Sequence, residues 1–349
     1  MNLTELNFIV FLSNYVIPEN TPVLYTRSKL ECAAITNYTH HQSFFYHRKT
    51  RVCITLPYTI YSTQNLVNHD GFQYSVKEAP ICGPVPTFDL AVFNSVTVET
   101  SGIYRANYIC PSAYFTTNTE PFSYCETSTQ SWTPLQLNCS VVSSCGDIQK
   151  CNPSYVDGEY WLYPDIYNNS RVKIYCHGLS SSQPSEYITL PKINVASYPE
   201  GEYTSSCSIS TFGDRWGETN FNKIRINIKT TEVTTDDYTF TTQVNGIHQP
   251  FGHAEACSNI ASYDTCPKQG YALVDVTETG FKFNPLTNWK LGGWQSLCDI
   301  IELSNVRFVG QGDGYCGGCF PDGAIKLDRD LTAIPALSTA VIPQCGTSS

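Results

Sequence analysis

The chain has 349 residues and a formal net charge of −10, with 21 Lys and Arg against 31 Asp and Glu. This length favours two or three domains. The acidic balance argues against a nucleic-acid partner, which would need a clustered excess of basic residues. Charged residues make up only 15% of the chain, and Tyr, Thr, Ser and Asn are abundant, which predicts strands and polar loops with little helix.

Cysteine usage and glycosylation sequons both predict an extracellular, secreted protein. The cysteine count is 16, an even number, and such a chain is typical of an oxidising compartment, where cysteines form disulfides. Asn-x-Ser/Thr sequons, which predict a glycoprotein, occur at four positions: Asn2, Asn37, Asn138 and Asn168. No apolar run approaches the ~20 residues that span a bilayer, so we expect no membrane span.

The N-terminus contains a short apolar stretch at residues 8–12. No basic residue precedes it, and it is shorter than the core of a usual signal peptide, about 7–15 residues. We therefore predict a first strand here, and no signal peptide is evident.

Residues 1–80 form the first compositional block. Its motifs are Leu30-Glu31-Cys32-Ala33-Ala34, Phe44-Phe45-Tyr46 and Arg51-Val52-Cys53-Ile54-Thr55-Leu56. Together they resemble the core of PAN/apple domains, in which a cysteine-bearing helix is stapled to a central sheet. The resemblance implies a Cys32–Cys53 bridge, although this block has two cysteines where the family usually has four or six. An unrelated hairpin-rich domain is the alternative interpretation.

Residues 81–140 form the second block, which carries four cysteines and a Trp before the last of them. The motifs are Cys82-Gly83-Pro84, Ser101 through Cys110, Tyr124-Cys125, Ser131-Trp132-Thr133 and Cys139. They resemble a sushi (complement control protein) module, which pairs its first cysteine with its third and its second with its fourth. The resemblance implies Cys82–Cys125 and Cys110–Cys139. Two bridges and a buried Trp132 would explain how so small a unit folds.

Residues 141–349 are dense in strand signals. Residues 223–229 alternate polar and apolar side chains, which is the pattern of a half-buried strand. Comparable runs lie at residues 159–163, 171–175, 186–190, 238–243, 271–276 and 300–309. Asp157-Gly158 and Asn245-Gly246 are favourable turn pairs. About ten strands over this segment predict a β-sandwich or a barrel.

The same segment contains a series of motifs in one order and spacing. They are Ser144-Cys145-Gly146-Asp147-Ile148, Asp157-Gly158-Glu159-Tyr160, Val172-Lys173-Ile174-Tyr175-Cys176-His177-Gly178, Glu186-Tyr187-Ile188-Thr189-Leu190, Phe221-Asn222-Lys223-Ile224-Arg225-Ile226, Gln249-Pro250-Phe251-Gly252 and Gly314-Tyr315-Cys316-Gly317-Gly318-Cys319. Over roughly residues 143–330 they resemble the GON domain, the C-terminal module of a subgroup of secreted zinc metalloproteases with disintegrin-like and thrombospondin repeats (the ADAMTS type).

The cysteines of this segment depart from the GON pattern. The family tends to carry a cysteine where this chain has Gln311-Gly312-Asp313, and this chain adds Cys151, Cys298 and Cys345. The segment holds ten cysteines: Cys145, Cys151, Cys176, Cys207, Cys257, Cys266, Cys298, Cys316, Cys319 and Cys345. We expect all of them to form disulfides, with a connectivity that the resemblance does not supply.

The motif of a zinc endopeptidase is absent from the sequence. A zinc endopeptidase needs His-Glu-x-x-His to place two imidazoles on one metal and a Glu on its water, and this chain has none. His248 and His253, with Glu255 and Cys257 nearby, are weak candidates for a metal pair, because an oxidised Cys257 cannot act as a thiolate ligand. Cys316 and Cys319 could form a redox or zinc Cys-x-x-Cys, but no second pair accompanies them, so structural disulfides are favoured.

We therefore expect a mainly β, multi-domain, disulfide-rich protein that is secreted and non-catalytic. It would bind a protein or glycan of the extracellular matrix or cell surface and need no cofactor, zinc being associated only with the protease family. Two alternatives stay open. The chain is an ancillary part of an ADAMTS-type zinc metalloendopeptidase whose catalytic domain it lacks, or it is a lectin-like recognition protein. Exposed tryptophans, with Trp161, Trp216, Trp289 and Trp294 as candidates, would suit such binding.

Overall fold

The computed structural model describes residues 8–17, 22–63, 66–116, 121–258, 266–333 and 340–345. These residues are mainly β, as predicted. The chain divides into two compact units, apart from the few residues after Gln344. We call them the N-terminal unit (Met1–Ser140) and the C-terminal unit (Val141–Gln344).

The first half of the N-terminal unit is an antiparallel sheet with one helix. Its elements are β1 (Ile9–Val16), β2 (Leu24–Tyr25), α1 (Lys29–Tyr38), β3 (Ser43–His47), β4 (Val52–Leu56) and β5 (Val67–Val76). The strands lie in the order β1-β5-β3-β4-β2. The helix begins after Ser28, whose hydroxyl accepts the backbone N–H of Glu31 and so satisfies one free donor of the first turn.

The aromatic run in β3 is explained by burial on both faces of the sheet. Phe44 packs with Cys32 of α1 on one face, and Phe45 packs with Tyr74 of β5 on the other. Cys32 is bonded to Cys53 of β4. The helix is therefore held to the sheet by a covalent bond as well as by its buried face.

The second half of the N-terminal unit contains two smaller sheets. Its strands are β6 (Val92–Val98), β7 (Tyr104–Ile109), β8 (Tyr114–Thr116), β9 (Phe122–Glu126), β10 (Ser131–Trp132) and β11 (Cys139–Val141). Four strands pair in the order β10-β9-β7-β6, and β11 pairs with β8. The bridges are Cys82–Cys125 and Cys110–Cys139. Trp132 is half-buried and its indole N–H donates to the carbonyl of Gly83 at 3.3 Å, which links the last strand of this sheet to the first cysteine segment.

The C-terminal unit opens with a short helix, α2 (Cys145–Cys151), and also has a 3₁₀ turn at Asp165–Tyr167. Its strands are β12 (Gly158–Leu162), β13 (Val172–His177), β14 (Ser185–Tyr198), β15 (Glu200–Tyr203), β16 (Ile209–Phe212), β17 (Gly217–Asn227), β18 (Glu232–Thr234), β19 (Thr241–Val244), β20 (Ala254–Ser258), β21 (Gly270–Asp275), β22 (Phe281–Phe283), β23 (Trp289–Gly293), β24 (Leu297–Leu303), β25 (Arg307–Asp313), β26 (Tyr315–Pro321) and β27 (Leu327–Arg329).

These strands form open sheets. The largest has nine strands, with β12-β13-β14-β21-β25-β24 in sequence and β17 joining β14 to β18 and β19. A second sheet has the order β16-β15-β20-β26-β23, and β22 pairs with β27. No closed barrel forms among the described strands, so of the two predicted architectures the barrel is not found.

The two large sheets approach each other backbone to backbone at a glycine contact. A Cβ on Gly312 of β25 would lie 1.9 Å from the carbonyl oxygen of Ala254, which belongs to β20 of the other sheet. A Cβ on Gly318 of β26, the neighbour of β20 within that sheet, would lie 2.0 Å from the same atom. Gly318 also has a φ of +158°. Only glycine fits these two positions, which explains part of the glycine-rich sequence around residues 310–318.

Two strand predictions in this unit are wrong in part. Residues 238–243 do not form one strand, because β19 starts only at Thr241. The Asp237 carboxylate accepts the backbone N–H of Thr239 at 3.1 Å, a local turn bond that competes with strand pairing. Residues 300–309 contain two strands, since the Ser304 hydroxyl accepts the N–H of Arg307 at 3.0 Å in a turn between β24 and β25.

Candidate binding site

The weak metal candidates have separate, non-metal contacts. His248 is exposed and stacks on Tyr238, with ring centroids 4.5 Å apart. His253 places its Nδ1 2.7 Å from Glu255 Oε1, and Cys257 is bonded to Cys316. Among the described residues, no group of three or more His, Cys, Asp or Glu side chains is arranged to hold a metal ion.

The Cys-x-x-Cys segment is divided between two disulfides. Cys316 is bonded to Cys257 of β20, and Cys319 is bonded to Cys298 of β24. The unit also contains Cys145–Cys176 and Cys207–Cys266. Cys151 and Cys345 are disulfide-bonded as well, and the described part of the chain has no free cysteine. These cysteines therefore form bridges, and none of those described presents a free thiol.

The sequons of the described residues lie at the surface. Asn37 in α1, Asn138 before β11 and Asn168 after the 3₁₀ turn are all exposed, whereas Asn2 lies outside the described residues. Asn168 has a φ of +52°, a left-handed conformation that Asn tolerates better than most residues.

The candidate tryptophans differ in exposure. Trp161 and Trp289 are each only 4% exposed, and Trp289 stacks on Phe308 in the core. Trp216 is half-buried. Trp294 is 67% exposed beside Tyr315, so of the four it alone presents most of its ring to solvent.

A cavity of about 710 Å³ lies in the first half of the N-terminal unit. It is placed where β2 leads into α1 and where the β3–β4 hairpin turns. Five cations line it: Arg27, Lys29, Arg48, Lys49 and Arg51. The N-terminal unit has seven Lys and Arg residues in all, so most of its positive charge is collected in this one place. We call the site lined by these five side chains the basic cavity.

The hairpin that carries three of these cations is fixed by a buried histidine. His47, only 6% exposed, accepts the backbone N–H of Thr50 at its Nδ1, at 3.0 Å. The ring proton therefore sits on Nε2, which donates to the carbonyl of Asp70 at 3.0 Å. Gly71 leaves room for this ring, because a Cβ there would lie 2.5 Å from Nε2. The imidazole thus ties the hairpin turn to β5.

Two further links fix the β2–α1 side of the cavity. The backbone N–H of Thr26 donates to the carbonyl of Arg51 at 3.0 Å, which places Arg27 next to the hairpin turn. The Cys32–Cys53 bridge then holds the first turns of α1, with Lys29, against β4. Hydrogen bonds and a disulfide therefore hold the backbone segments that carry these cations next to one another.

Most of the charge in the cavity has no internal partner. Arg27 pairs with Glu31 at 3.6 Å, and Lys29 donates to Gln73 Oε1 at 3.0 Å. Arg48, Lys49 and Arg51 are exposed and form no ion pair with any described residue. Burial lowers the pKa of Lys29 to about 8, because a partly buried ammonium group loses hydration. Such a concentration of unneutralised charge attracts anions.

Sequence reasoning did not single out this site. The available signal was the run His47-Arg48-Lys49-Thr50-Arg51 between two apolar strands of an acidic chain. Arg27 and Lys29 join that run only through the pairing of β2 with β4. Among the predicted candidates, the cysteines form bridges, the described sequons lie at the surface, and only Trp161 and Trp289 of the four tryptophans are core residues.

The fold and its bridges define a mainly β protein held together by disulfides. Among the described residues, no helix has the length and apolar character that a membrane span needs. The GON domain family model matches residues 142–331. The chain belongs to the GON domain family, as the motifs of its C-terminal unit indicated.

Relatives with this region carry the name "A disintegrin and metalloproteinase with thrombospondin motifs". The Caenorhabditis elegans protein of this name, gon-1, is 31% identical over 203 residues, which is 54% of this chain and 9% of the relative. The Homo sapiens protein numbered 20 is 29% identical over 53% of this chain and 10% of the relative. The chain therefore spans about a tenth of the length of these relatives. No solved structure matches the chain.

Proposed function

We propose that this protein acts outside the cell as a non-catalytic glycoprotein that binds matrix or cell-surface partners. The observation that carries the proposal is that the cysteines are used for internal bridges, whereas the cations of the basic cavity are available to a binding partner. The described cysteines are all bonded to one another, whereas the cations of the cavity are largely left without partners. Membership of the GON family and the exposed sequons support an extracellular setting.

The proposal is tested with the full chain produced in animal cells behind an added secretion signal. We expect the protein in the medium, with a mass that falls on treatment with an N-glycosidase. It should bind to matrix deposited by cultured cells, and that matrix should stay uncleaved. Failure to bind the matrix, or cleavage of it, would overturn the proposal.

A second candidate function is supported by the names of the relatives and by the small share of them that this chain spans. In this alternative the chain is an ancillary region of a zinc metalloproteinase and contributes binding to that enzyme's action. The two candidates differ in one assay: an ancillary region should raise the rate at which a zinc metalloproteinase joined to it cleaves a matrix protein, and an independent binding protein should not. Chelator-sensitive cleavage of matrix proteins by the purified chain alone would contradict both candidates.

A further inference from the structure

We propose that the basic cavity binds a sulfated linear polysaccharide of the extracellular matrix. This inference rests on the proposed function and names the class of partner and the site that takes it. It is carried by the arrangement of the five cations, by the size of the cavity and by the charge of the rest of the chain.

The cations are arranged for a ligand with several anionic groups. Arg48, Lys49 and Arg51 come from one hairpin turn, and Arg27 and Lys29 come from the segment that enters α1. The cavity, at about 710 Å³, falls within the range of roughly 300–1,000 Å³ typical of ligand sites. A single small anion would leave most of this volume and most of these charges unused. A chain with an anionic group on each successive sugar would contact both sides.

The chemistry of the side chains suits sulfate and carboxylate groups. A guanidinium presents a planar fork of N–H donors that meets two oxygens of such a group at once, and an ammonium adds a compact charge. Three of the five cations are arginines. Gln73 and Ser28 also line the cavity and supply neutral polar groups for sugar hydroxyls.

The site is also preorganised. The His47 ring fixes the hairpin turn to Thr50 and to the carbonyl of Asp70, and the Cys32–Cys53 bridge fixes the other side. Binding therefore does not need to order the backbone, which removes one of the usual costs of association.

The negative charge of the rest of the chain disfavours binding of a polyanion anywhere except at the basic cavity. The chain carries a net charge of −10, so removing the five cavity cations from the sum leaves −15 on the rest of the molecule. A long anionic chain is repelled by that surface and attracted by the cavity. The specific prediction is one binding region per chain.

The decisive variant neutralises the hairpin, with Arg48→Ala, Lys49→Ala and Arg51→Ala made together. These side chains are exposed and unpaired, so the fold should be kept, and the thermal unfolding midpoint checks this. The matched control changes the net charge equally in the C-terminal unit, with Lys192→Ala, Lys229→Ala and Lys290→Ala, all at exposed positions.

The probe is a heparin decasaccharide of defined length, and its affinity is measured by calorimetry. We expect the hairpin variant to bind about 100-fold more weakly, as expected when several charge contacts are lost, and the control variant to bind as the unmodified protein does. The affinity of the unmodified protein should fall steeply with added salt, and the fall should be shallower for the hairpin variant. Equal affinity of the hairpin variant and the unmodified protein would overturn the inference.

Three other probes test which class of molecule supplies the anionic groups that the cavity binds. A desulfated decasaccharide of the same length should bind weakly, and vesicles with 20% phosphatidylserine and a single-stranded DNA oligomer should bind more weakly than the sulfated probe. Tighter binding of the vesicles or the DNA would overturn the assignment to a polysaccharide. If the protein binds cell-derived matrix but not heparin, this inference fails and the proposed function stands. If it binds neither, both fail.

Discussion

The two units of the protein use their basic side chains in opposite ways. In the C-terminal unit, seven of the 14 Lys and Arg residues pair with a carboxylate of the described residues: Lys150, Lys173, Arg225, Lys268, Lys290, Arg307 and Lys326. Others lie over aromatic rings, as Arg171 does over Trp161. In the basic cavity of the N-terminal unit, Arg27 alone pairs with a described carboxylate.

This difference separates charges that serve the fold from charges that are available to a partner. Arg307 contacts Asp275, whose side chain is only 6% exposed, and a buried carboxylate needs such a partner. Arg48, Lys49 and Arg51 are exposed and pair with no buried carboxylate in the part of the chain that the structure describes. Their loss should therefore affect recognition and leave stability unchanged.

The largest expected effect on stability comes from removing one disulfide from each unit. Cys32–Cys53 and Cys298–Cys319 each enclose a sequence separation of 21 residues. Loop entropy alone assigns both the same stabilisation, about 3 kcal/mol. We expect alanine replacement of the first pair to unfold the N-terminal sheet at 37 °C, because its core is small. Replacement of the second pair should leave the C-terminal unit folded with a lower midpoint.

Hydrogen exchange of peptides from β3 and from β21 reports the two units separately. Each double variant serves as the control for the other. If the first replacement left β3 as protected as in the unmodified protein, the N-terminal sheet would not depend on its bridge.

The next largest loss of stability is expected from a substitution at the glycine contact between the sheets of the C-terminal unit. Gly312→Ala would place a methyl group on the Ala254 carbonyl, and relief requires the two sheets to separate. We expect a loss of about 3 kcal/mol in the free energy of unfolding. Gly146→Ala is the control, since its Cβ would meet only Ser144 Oγ at 3.7 Å within α2. That change should stabilise the helix by roughly 0.5–1 kcal/mol.

One arginine substitution in each unit should change the free energy of unfolding by a smaller amount, and the two substitutions can be compared directly. Arg307→Ala leaves the buried Asp275 carboxylate without its ionic partner, at an expected cost of about 1–3 kcal/mol. Arg48→Ala should change the unfolding free energy by less than about 0.5 kcal/mol. Denaturant titration of both variants measures the difference. A comparable loss at Arg48 would show that the cavity cations also stabilise the fold.

The last prediction concerns Lys29, whose replacement should slightly raise the free energy of unfolding, whereas the other losses of side chains lower it. Burial lowers its pKa to about 8 in the folded chain, against 10.5 for a solvent-exposed lysine, so the folded state binds fewer protons between these values. Stability therefore rises with pH from 8 to 10.5 and is lower below pH 8. Lys29→Met should remove that rise and slightly stabilise the protein at pH 7, while weakening heparin binding.

Unfolding free energies at pH 7 and pH 10, for both proteins, check this prediction. Parallel loss of stability and binding in the variant would mean that Lys29 is structural. Lys77→Met is the control, because Lys77 lies in the same unit, just after β5, but does not line the basic cavity.

Regular strands were predictable because their side-chain pattern is local. The alternation at residues 223–229 corresponds to β17, where Ile224 and Ile226 are buried and Arg225 is exposed. The three bridges of the N-terminal unit coincide with those implied by the family resemblances. The turn after β24 was missed because the Ser304 hydroxyl bonds the backbone there, a competition that apolar patterning does not reveal.

The basic cavity could not be predicted because it depends on sheet order. Arg27 and Arg51 are 24 positions apart and become neighbours only when Thr26 bonds the carbonyl of Arg51. The role of His47 likewise depends on Gly71, more than 20 residues away, leaving space for its ring. Long-range register of this kind is not contained in composition or in short motifs.

The division of Cys316 and Cys319 between two bridges bears on how the chain reaches its oxidised state. The two sulfurs belong to one strand and bond to different neighbours, Cys257 and Cys298. If either bridge is reduced, the released thiolate is three residues from the other disulfide and can exchange with it. Refolding from the reduced protein should therefore pass through scrambled isomers, and a disulfide isomerase should accelerate its recovery.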